Sequence, residues 1–500
     1  MRFTDQQEAV FAEGVAEHMK IIAYAGSGKT TTLVELQKRT RKRALYCPFN
    51  KTIADEARVK FAGTGCQVST LHAFAWNAIR SPGRSPHKGG ASDIRARGLI
   101  GRVSLPRVKG WGDFRIAAAA NRALARFCVS DAQEITEEHA REALMESVGD
   151  PDSLRCEPTR QRAEDVLSHL VRPVHLIASL YRDSLLDEEA YTHDLYLKTL
   201  ELEPALLRRA FTGFQAVYKD EAQDTNPVET AILRKSRLPI ISVGDPYQQI
   251  YSWRGAQSAL DNLPGKRLHL TESFRFRQDL ADLAMRILAA RPVDKPVLPL
   301  IGAGGGRGKG KPANAILCRT NAGVLEQAMR VAEKGKSYFV DNAESLVSDL
   351  RSAEALHAGR PSQAGHGPFS PFAHWAEAVA EAKAGDRAME RIVKIVEDGR
   401  ADEVVGLIKR SQPDEAKADI TIMTAHRSKG REFPFVMLGA DWRGLDDMRK
   451  RWEKARRTSP REEVLALEEY NALYVAATRA QVKVYGLEPL LRTEEAPRPA

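Results

Sequence analysis

The feature that most constrains the fold is a glycine-rich turn, AYAGSGKT at residues 23–30, between an apolar run and a helical stretch. Paired glycines let backbone N–H groups close around phosphate oxygens, and the start of a helix adds partial positive charge. In such a cradle the Lys29 ammonium reaches the β- and γ-phosphates, and the Thr30 hydroxyl binds Mg²⁺. The turn therefore predicts a site for a nucleoside triphosphate and its magnesium ion.

Short apolar runs alternate with helical stretches on both sides of a long helical region. The predicted strands lie at residues 20–25, 44–47, 67–70, 214–218, 239–243, 420–423, 435–438 and 481–486, and a strand–helix–strand unit lies at 313–340. This spacing is typical of βαβ units with parallel sheets. Residues 113–207 show a helical pattern without a clear strand. We therefore predict an α/β protein in which a helical insertion interrupts the first of two α/β regions.

Composition excludes several classes of protein. The 500 residues carry 75 Lys and Arg against 66 Asp and Glu, so the net charge of +9 suits an anionic partner without establishing one. No run of about 18 apolar residues is present, and the polar N-terminal segment does not resemble a signal peptide. The scattered cysteines form no Cys-x-x-Cys pair, which argues against a disulfide framework or a zinc site. A reduced, cytoplasmic location is expected, nucleoid-associated in a bacterium.

A second catalytic element follows the strand predicted at residues 214–218. Asp220 and Glu221 lie at its carboxyl end, the edge at which open parallel sheets bind ligands. Asp220 can hold Mg²⁺, directly or through water, and Glu221 can accept a proton from an attacking water molecule. Together with the cradle, this pair predicts hydrolysis of a nucleoside triphosphate.

These elements and the motifs between them resemble the superfamily 1 helicases of the UvrD/Rep group, in particular the helicase region of the F-box DNA helicases, without a recognisable F-box. The resemblance runs from Thr4 to Tyr485 and is weaker over residues 90–210 and 300–415. It implies two RecA-like P-loop lobes with parallel sheets, and a 2B insertion that is reduced or absent. The implied domains are lobe 1A (1–90 and 208–267), a helical 1B insertion (91–207), lobe 2A (268–490, with a small insertion around 341–415) and a tail (491–500).

The resemblance also implies a set of ATP contacts. Gln7 looks like an adenine-reading amide, Phe274 would lie against the adenine, and Glu432 would contact the ribose. Gln248, Arg275 and the arginine finger Arg479 would act at the γ-phosphate. The implied nucleotide contacts are Gln7, Ala25, Gly26, Ser27, Gly28, Lys29, Thr30, Thr31, Phe274 and Glu432. The catalytic set is Lys29, Glu221, Gln248, Arg275 and Arg479, with Thr30 and Asp220 as ligands of Mg²⁺.

Further motifs match the strand-holding segments of the family. Trp253 would stack on a base, and an exposed aromatic face contributes roughly 1–3 kcal/mol per stacked base. His426 and Lys429 would contact DNA or couple the lobes. The implied DNA contacts are Phe49, Asn50, Thr70, His72, Tyr251, Trp253, Arg254, His426 and Lys429.

The function that the resemblance implies is an ATP-dependent DNA helicase or translocase moving 3′ to 5′ on single-stranded DNA. Its implied substrates are single strands and single-strand/duplex junctions, in repair, recombination or replication. Protein partners would be a nuclease or a replication or repair factor, and no membrane is involved. Because the catalytic carboxylates belong to one lobe and the arginines to the other, lobe closure would be coupled to hydrolysis.

Four departures from the family pattern leave alternatives open. Ala23 replaces the usual first glycine, and Thr31 stands where an arginine is common. The segment Pro48-Phe49 does not place its aromatic ring as many members of the family do, which leaves the stacking role of Phe49 open. Only about 150 residues separate Arg275 from Thr424, too few for the rest of the lobe and a full-sized 2B domain, which favours translocation over unwinding. The alternative is an ATPase switch, activated by DNA or a partner, in a repair or phage-defence complex. A metabolic P-loop kinase would not account for the later motifs.

Overall fold

The computed structural model describes residues 2–80, 86–88, 99, 103–105, 113–148, 157–252, 257–304, 314–364, 367–370, 372, 374–383 and 387–492. Contacts divide the chain into two compact units. The first comprises Met1–Ala23 and Lys29–Leu270, and the second comprises Tyr24–Gly28 and Thr271–Ala500. Each unit is built on a parallel sheet with helices, so the predicted α/β class is confirmed.

Strands of the first unit follow the chain order β1 (Met19–Ala23), β2 (Ala44–Cys47), β3 (Cys66–Val68), β4 (His87–Lys88), β5 (Ala190–Tyr191), β6 (Ala216–Lys219), β7 (Ile240–Gly244) and β8 (Lys266–Leu270). Six of them form a parallel sheet in the order β3-β2-β6-β7-β1-β8. The strands of this sheet that the sequence predicts are β1, β2, β3, β6 and β7, and each is confirmed with its ends within two residues of the predicted ones. Strand β8 crosses the domain boundary expected at residue 268 and pairs along its length with β1.

The helices described in the first unit are α1 (Asp5–Glu13), α2 (Lys29–Thr40), α3 (Lys51–Lys60), α4 (Leu71–Ile79), α5 (Asp113–Val129), α6 (Glu137–Val148), α7 (Glu157–Asp187), α8 (His193–Leu202), α9 (Pro204–Phe211), α10 (Pro227–Ser236) and α11 (Ala259–Asn262). Strands β2, β6 and β7 are buried along their whole length, as expected for a sheet covered on both faces. This burial explains why they appear in the sequence as continuous apolar runs.

Helices α5 to α8 account for most of the predicted helical insertion. Their apolar faces share one core with α4 and the neighbouring helices, to which Ile116, Leu124, Phe127 and Val174 contribute. The prediction of a strand-free segment was wrong in one detail, because β5 lies inside it and pairs in parallel with β4. Two residues are too few to show the alternation by which strands are recognised. The division of the first unit into a lobe and an inserted domain stays a prediction.

Two sheets are described in the second unit. Its strands are β9 (Glu272–Ser273), β10 (Ile301–Gly302), β11 (Asn314–Cys318), β12 (Tyr338–Val340), β13 (Ile420–Thr424), β14 (Phe433–Leu438) and β15 (Ala480–Tyr485). Five form a parallel sheet in the order β12-β13-β11-β14-β15, and β9 pairs with β10. Its described helices are α12 (Gln278–Ala289), α13 (Asn321–Glu333), α14 (Ala343–His357), α15 (Trp375–Lys383), α16 (Arg387–Glu397), α17 (Ala401–Lys409), α18 (Leu445–Ala455) and α19 (Pro460–Ala477).

Four of the described helices, α14 to α17, lie between β12 and β13, where a small insertion is predicted. Their apolar residues, among them Leu350, Val393 and Val404, join the core that also contains Ile316 and Ile422 of the sheet. The segment is therefore packed against the sheet and shares its core. Within the described part of the chain, no helix combines the length and the apolar character needed to cross a membrane.

Candidate active site

The turn between β1 and α2 has the backbone of a phosphate cradle. Gly26 and Gly28 adopt φ values of 74° and 76°, a left-handed conformation that glycine enters without a steric cost. A Cβ atom on Gly26 would lie 2.5 Å from Ser273 Oγ and 2.6 Å from Arg275 Cβ. The Gly26 carbonyl accepts a hydrogen bond of 2.9 Å from the Phe274 N–H. Backbone conformation and close packing thus both require glycine at position 26.

Side chains of this segment also suit a phosphate ligand. The Ser27 hydroxyl is buried and has no hydrogen-bond partner among the described residues. A buried polar group of this kind commonly marks an absent ligand. Lys29 and Thr30 open helix α2 and are half-buried, whereas Ala25 is buried and Thr31 is exposed. A nucleotide phosphate would supply the acceptor that the Ser27 hydroxyl lacks.

The predicted acidic pair follows β6 directly. Lys29 Nζ lies 3.6 Å from Glu221 Oε1, so the cradle lysine and the candidate general base meet within the first unit. Glu221 adopts φ 49° and ψ 45°. A left-handed non-glycine residue costs about 1–3 kcal/mol, and such residues cluster at functional sites. The conformation is part of what brings this carboxylate next to Lys29.

Asp220 is fully enclosed, and both of its carboxylate oxygens are held. The Glu221 N–H donates to Oδ1 at 2.8 Å, and the Tyr46 hydroxyl donates to Oδ2. Burial, reinforced by the neighbouring Glu221 carboxylate, raises the pKa of Asp220. Burial and the Asp220 charge also raise the pKa of Tyr46, which keeps its proton. A divalent cation would add positive charge next to this buried carboxylate.

The donor set fits magnesium better than a transition metal. Thr30 and Asp220 offer oxygen atoms, which Mg²⁺ prefers, and Mg²⁺ in nucleotide sites is usually held by one or two carboxylates with substrate phosphates and water. No group of three or more His, Cys, Asp or Glu side chains among the residues described is placed to hold a metal alone. The ion would therefore need the phosphates of the nucleotide as further ligands.

A polar chain joins the acidic pair to the predicted γ-phosphate sensor. Gln223 Nε2 donates to Glu221 Oε2 at 2.6 Å, and Gln223 Oε1 accepts from the Asp245 N–H at 3.0 Å. Gln248 Nε2 donates to Asp245 Oδ2 at 2.8 Å. Gly244 must lack a side chain, because a Cβ atom there would collide with Gln223 Oε1. Sequence reasoning missed Gln223 and Asp245, although each lies within three residues of a predicted site residue.

Gln7 is buried and belongs to a capping box at the start of α1. The Thr4 N–H donates to Gln7 Oε1 at 3.1 Å, and the Gln7 N–H donates to Thr4 Oγ1 at 3.2 Å. Gln7 Nε2 donates to Thr32 Oγ1 at 2.9 Å. An amide group has further hydrogen-bonding capacity at both ends, so this arrangement is compatible with contact to a base. The adenine-reading role stays a prediction.

In the second unit, Arg275 is held between two partners. Its Nη2 lies 2.7 Å from Glu432 Oε1, and its Nη1 donates to the Thr478 carbonyl at 2.8 Å. Glu432 Oε2 accepts from Gln481 Nε2 at 3.0 Å. Burial, the largest single influence, raises the pKa of Glu432, but the charge and hydrogen bond of Arg275, the hydrogen bond from Gln481 and the Arg479 charge together outweigh it, and the pKa is lowered. Phe274, the predicted adenine contact, is 45% exposed.

Arg479, the predicted arginine finger, is buried where α19 gives way to β15. Its Nε donates to the Val475 carbonyl at 3.0 Å, and its Nη1 donates to the Arg431 carbonyl at 3.4 Å. Its Nη2 donates to Thr478 Oγ1 at 3.2 Å. Arg275 and Arg479 thus share Thr478, which brings the two predicted γ-phosphate arginines together in the second unit.

Two of the predicted DNA contacts form an aromatic pair on the first unit. The rings of Phe49 and Tyr251 are stacked, with centroids 5.3 Å apart and an interplanar angle of 20°. Phe49 is half-buried, immediately beyond the carboxyl end of β2. Trp253 and Arg254, the next predicted contacts along the chain, lie outside the described residues.

The other predicted DNA contacts lie at the starts of helices and in one turn. Asn50 Oδ1 caps α3 by accepting from the Ile53 N–H at 2.9 Å, and Thr70 Oγ1 caps α4 by accepting from the Ala73 N–H at 3.2 Å. His72 Nε2 lies 3.4 Å from Asp194 Oδ1. His426 and Lys429 follow β13, and both are half-buried. Asn50 and Thr70 thus have a structural role whether or not they contact DNA.

Comparison with known proteins gives two family-model matches. Residues 3–263 match the UvrD/REP helicase N-terminal domain, and residues 372–485 match the UvrD-like helicase C-terminal domain. F-box DNA helicase 1 of Gallus gallus is 28% identical over 96% of this chain and 48% of its own length. F-box DNA helicase protein 1 of Schizosaccharomyces pombe is 26% identical over 94% and 56%. ATP-dependent DNA helicase PcrA of Leuconostoc citreum is 25% identical over 54% and 36%. The chain therefore spans about half the length of the first two relatives.

Proposed function

Because the chain belongs to the UvrD/REP helicase family, we propose that it is an ATP-dependent DNA helicase or translocase that moves 3′ to 5′ on single-stranded DNA. The family resemblance predicted from the motifs is confirmed. The direction of movement, the substrate and the pathway are parts of the proposal that family membership alone does not give. The single observation that carries the proposal is the 3.6 Å approach of Lys29 to Glu221 beside Asp220, within one unit.

The chemistry follows from these side chains. Lys29, the Ser27 hydroxyl and the N–H groups of the turn would bind the phosphates, and Thr30 and Asp220 would hold Mg²⁺. When bound, Mg²⁺ neutralises charge on the phosphoryl oxygens. Glu221 would accept a proton from the attacking water, while Gln223 holds its second carboxylate oxygen. Arg275 and Arg479 would act at the γ-phosphate.

The DNA side of the proposal rests on the stacked rings of Phe49 and Tyr251 and on the relatives, which are named DNA helicases. Aromatic side chains stack on bases of any sequence, which suits a protein that moves along a strand. Single strands and single-strand/duplex junctions inside the cell are the proposed substrates. The proposed setting is repair, recombination or replication, with a nuclease or a replication or repair factor as partner.

The test combines ATP hydrolysis, with and without single-stranded DNA, with displacement of a duplex bearing a 3′ or a 5′ tail. Glu221→Gln keeps the size of the side chain but removes the base, so we expect turnover to fall about 10²–10⁴-fold. Glu8→Gln, which removes a surface carboxylate paired with Arg39, is the matched control and should leave turnover unchanged. Displacement from the 3′ tail alone would support the polarity.

Other results would overturn parts of the proposal. Displacement from the 5′ tail alone would contradict the direction of movement. If single-stranded DNA does not change ATP turnover and neither tailed duplex is displaced, the helicase assignment is contradicted for the isolated chain. That result would favour an ATPase switch that a partner activates.

A further inference from the structure

Tyr46 lies on β2, the strand next to β6, and is fully buried. Its hydroxyl donates to Oδ2 of Asp220, although the two residues are 174 positions apart in the sequence. The Glu221 N–H holds the other carboxylate oxygen at 2.8 Å. The orientation of the Asp220 carboxylate is therefore fixed from both sides.

We propose that Tyr46 is a positioning residue for the magnesium site, which holds the Asp220 carboxylate in its cation-binding orientation before Mg²⁺ and nucleotide arrive. The inference rests on the proposed ATP site. The ring itself is fixed by packing, since the centroid of the Phe61 ring lies 4.7 Å away. Groups that orient metal ligands typically change metal affinity or activity by about 10–100-fold when they are removed.

The fold supplies a matched control for Tyr46. Tyr218 is its register partner on β6 and is equally buried in the same core. The Tyr218 hydroxyl donates to Gln37 Oε1 at 3.0 Å, and Gln37 is outside the proposed site. Tyr218→Phe therefore removes a comparable buried hydroxyl without touching Asp220.

The experiment measures binding of a fluorescent ADP, first in EDTA and then across a Mg²⁺ titration, for wild type, Tyr46→Phe and Tyr218→Phe. Tyr46→Phe should leave the affinity in EDTA within twofold of wild type. It should raise about tenfold the Mg²⁺ concentration at which half of the magnesium-dependent gain in nucleotide affinity is reached. Tyr218→Phe should leave both quantities within twofold. Equal changes in the two tyrosine variants, or no change in Tyr46→Phe, would overturn the inference.

A second comparison tests whether Tyr46 acts through Asp220 and guards against poor folding of the single variant. Asp220→Asn removes the carboxylate to which the Tyr46 hydroxyl donates. Adding Tyr46→Phe to Asp220→Asn should therefore change the Mg²⁺ concentration for half of the gain in affinity less than twofold. A larger further loss would overturn the inference. Failure of the proposed function would give a different result, because Mg²⁺ would then not increase the nucleotide affinity of wild type itself.

Discussion

Arg275 and Glu432 form an ion pair in which Nη2 lies 2.7 Å from Oε1, while the Thr478 carbonyl holds Nη1 at 2.8 Å. The Arg275 Nε atom is buried and has no hydrogen-bond partner among the described residues. Two nitrogens of the guanidinium are thus fixed by the protein, which suits the γ-phosphate contact proposed for Arg275.

Glu432→Gln should lower kcat for ATP about tenfold while KM changes less than threefold. The amide keeps the shape of the side chain but loses the charge that anchors Arg275, and misplacement of a catalytic group lowers the rate. Steady-state ATPase kinetics measure both constants. Glu415→Gln, which removes the charge of one of the two carboxylates paired with Arg431 in the same unit, is the control and should leave kcat unchanged. A rise in KM with an intact kcat would instead favour the ribose contact implied by the family motif.

Gln223→Ala should lower kcat about 10–100-fold and leave ATP affinity within threefold of wild type. Gln223 holds Glu221 Oε2 at 2.6 Å and connects it to Asp245, so its loss frees the candidate base to rotate. Gln37→Ala removes an equally buried glutamine that bonds the carbonyls of Lys42 and Thr64. That control should lower the melting temperature and spare kcat, and equal kcat losses in both variants would contradict the prediction.

How far the sequence predicts the site depends on whether its residues are neighbours in the chain. The cradle and the pair Asp220–Glu221 could be recognised because glycine spacing and an apolar run mark a strand that ends in a ligand site. Tyr46 could not, because its contact with Asp220 exists only once β2 lies beside β6 in the sheet. Arg275 and Glu432 were both predicted, but nothing in the spacing of their motifs indicates that they pair.

At some of the predicted site residues the sequence also indicates a role in helix capping, which the family motifs do not describe. Thr4-x-x-Gln7 is a capping-box pattern, and the structure shows that box as well as the burial of Gln7. Asn50 and Thr70 are residue types that favour helix starts, and both act as N-caps. A local structural role and a ligand contact are not exclusive, so substitutions at these positions need a stability control.

Phe49→Ala should weaken binding of single-stranded oligo-dT about tenfold and leave the slope of log Kd against log salt unchanged. Stacking on an aromatic ring contributes roughly 1–3 kcal/mol per base, and no cation is lost. Fluorescence anisotropy at several salt concentrations gives both quantities. Val59→Ala, at an apolar position of α3 that is 78% exposed, should leave both unchanged. A changed salt slope in Phe49→Ala would point to a lost phosphate contact instead of stacking.

Lys198→Met should destabilise the first unit by about 3–5 kcal/mol, because it leaves a buried carboxylate without its buried partner. Lys198 Nζ lies 2.7 Å from Glu201 Oε2, and both side chains are fully buried. Lys235 pairs with the other oxygen of Glu201 but is 41% exposed, so Lys235→Met should cost less than about 1 kcal/mol. Urea unfolding compares the two variants, and equal costs would contradict the assignment of the buried pair as the stronger one.

His139 should make the helical region of the first unit sensitive to acid. Its Nδ1 accepts from the Thr136 N–H at 3.0 Å at the start of α6, an acceptor that protonation would remove. Burial lowers the pKa of His139 from its ordinary value of 6.5, so the unfolded chain binds the proton first as the pH falls. The stability contribution is present above pH 6.5 and is lost progressively below it, towards the lowered pKa.

The melting temperature of His139→Gln should therefore fall less than that of wild type when the pH is lowered from 7.5 to 5.5. Glutamine can accept from the same N–H, as in a Thr-x-x-Gln capping box, and does not titrate in this range. His169→Gln, at an exposed position of α7, is the control and should follow wild type. Identical acid sensitivity in wild type and His139→Gln would show that protonation of this imidazole does not limit the stability of the helical region.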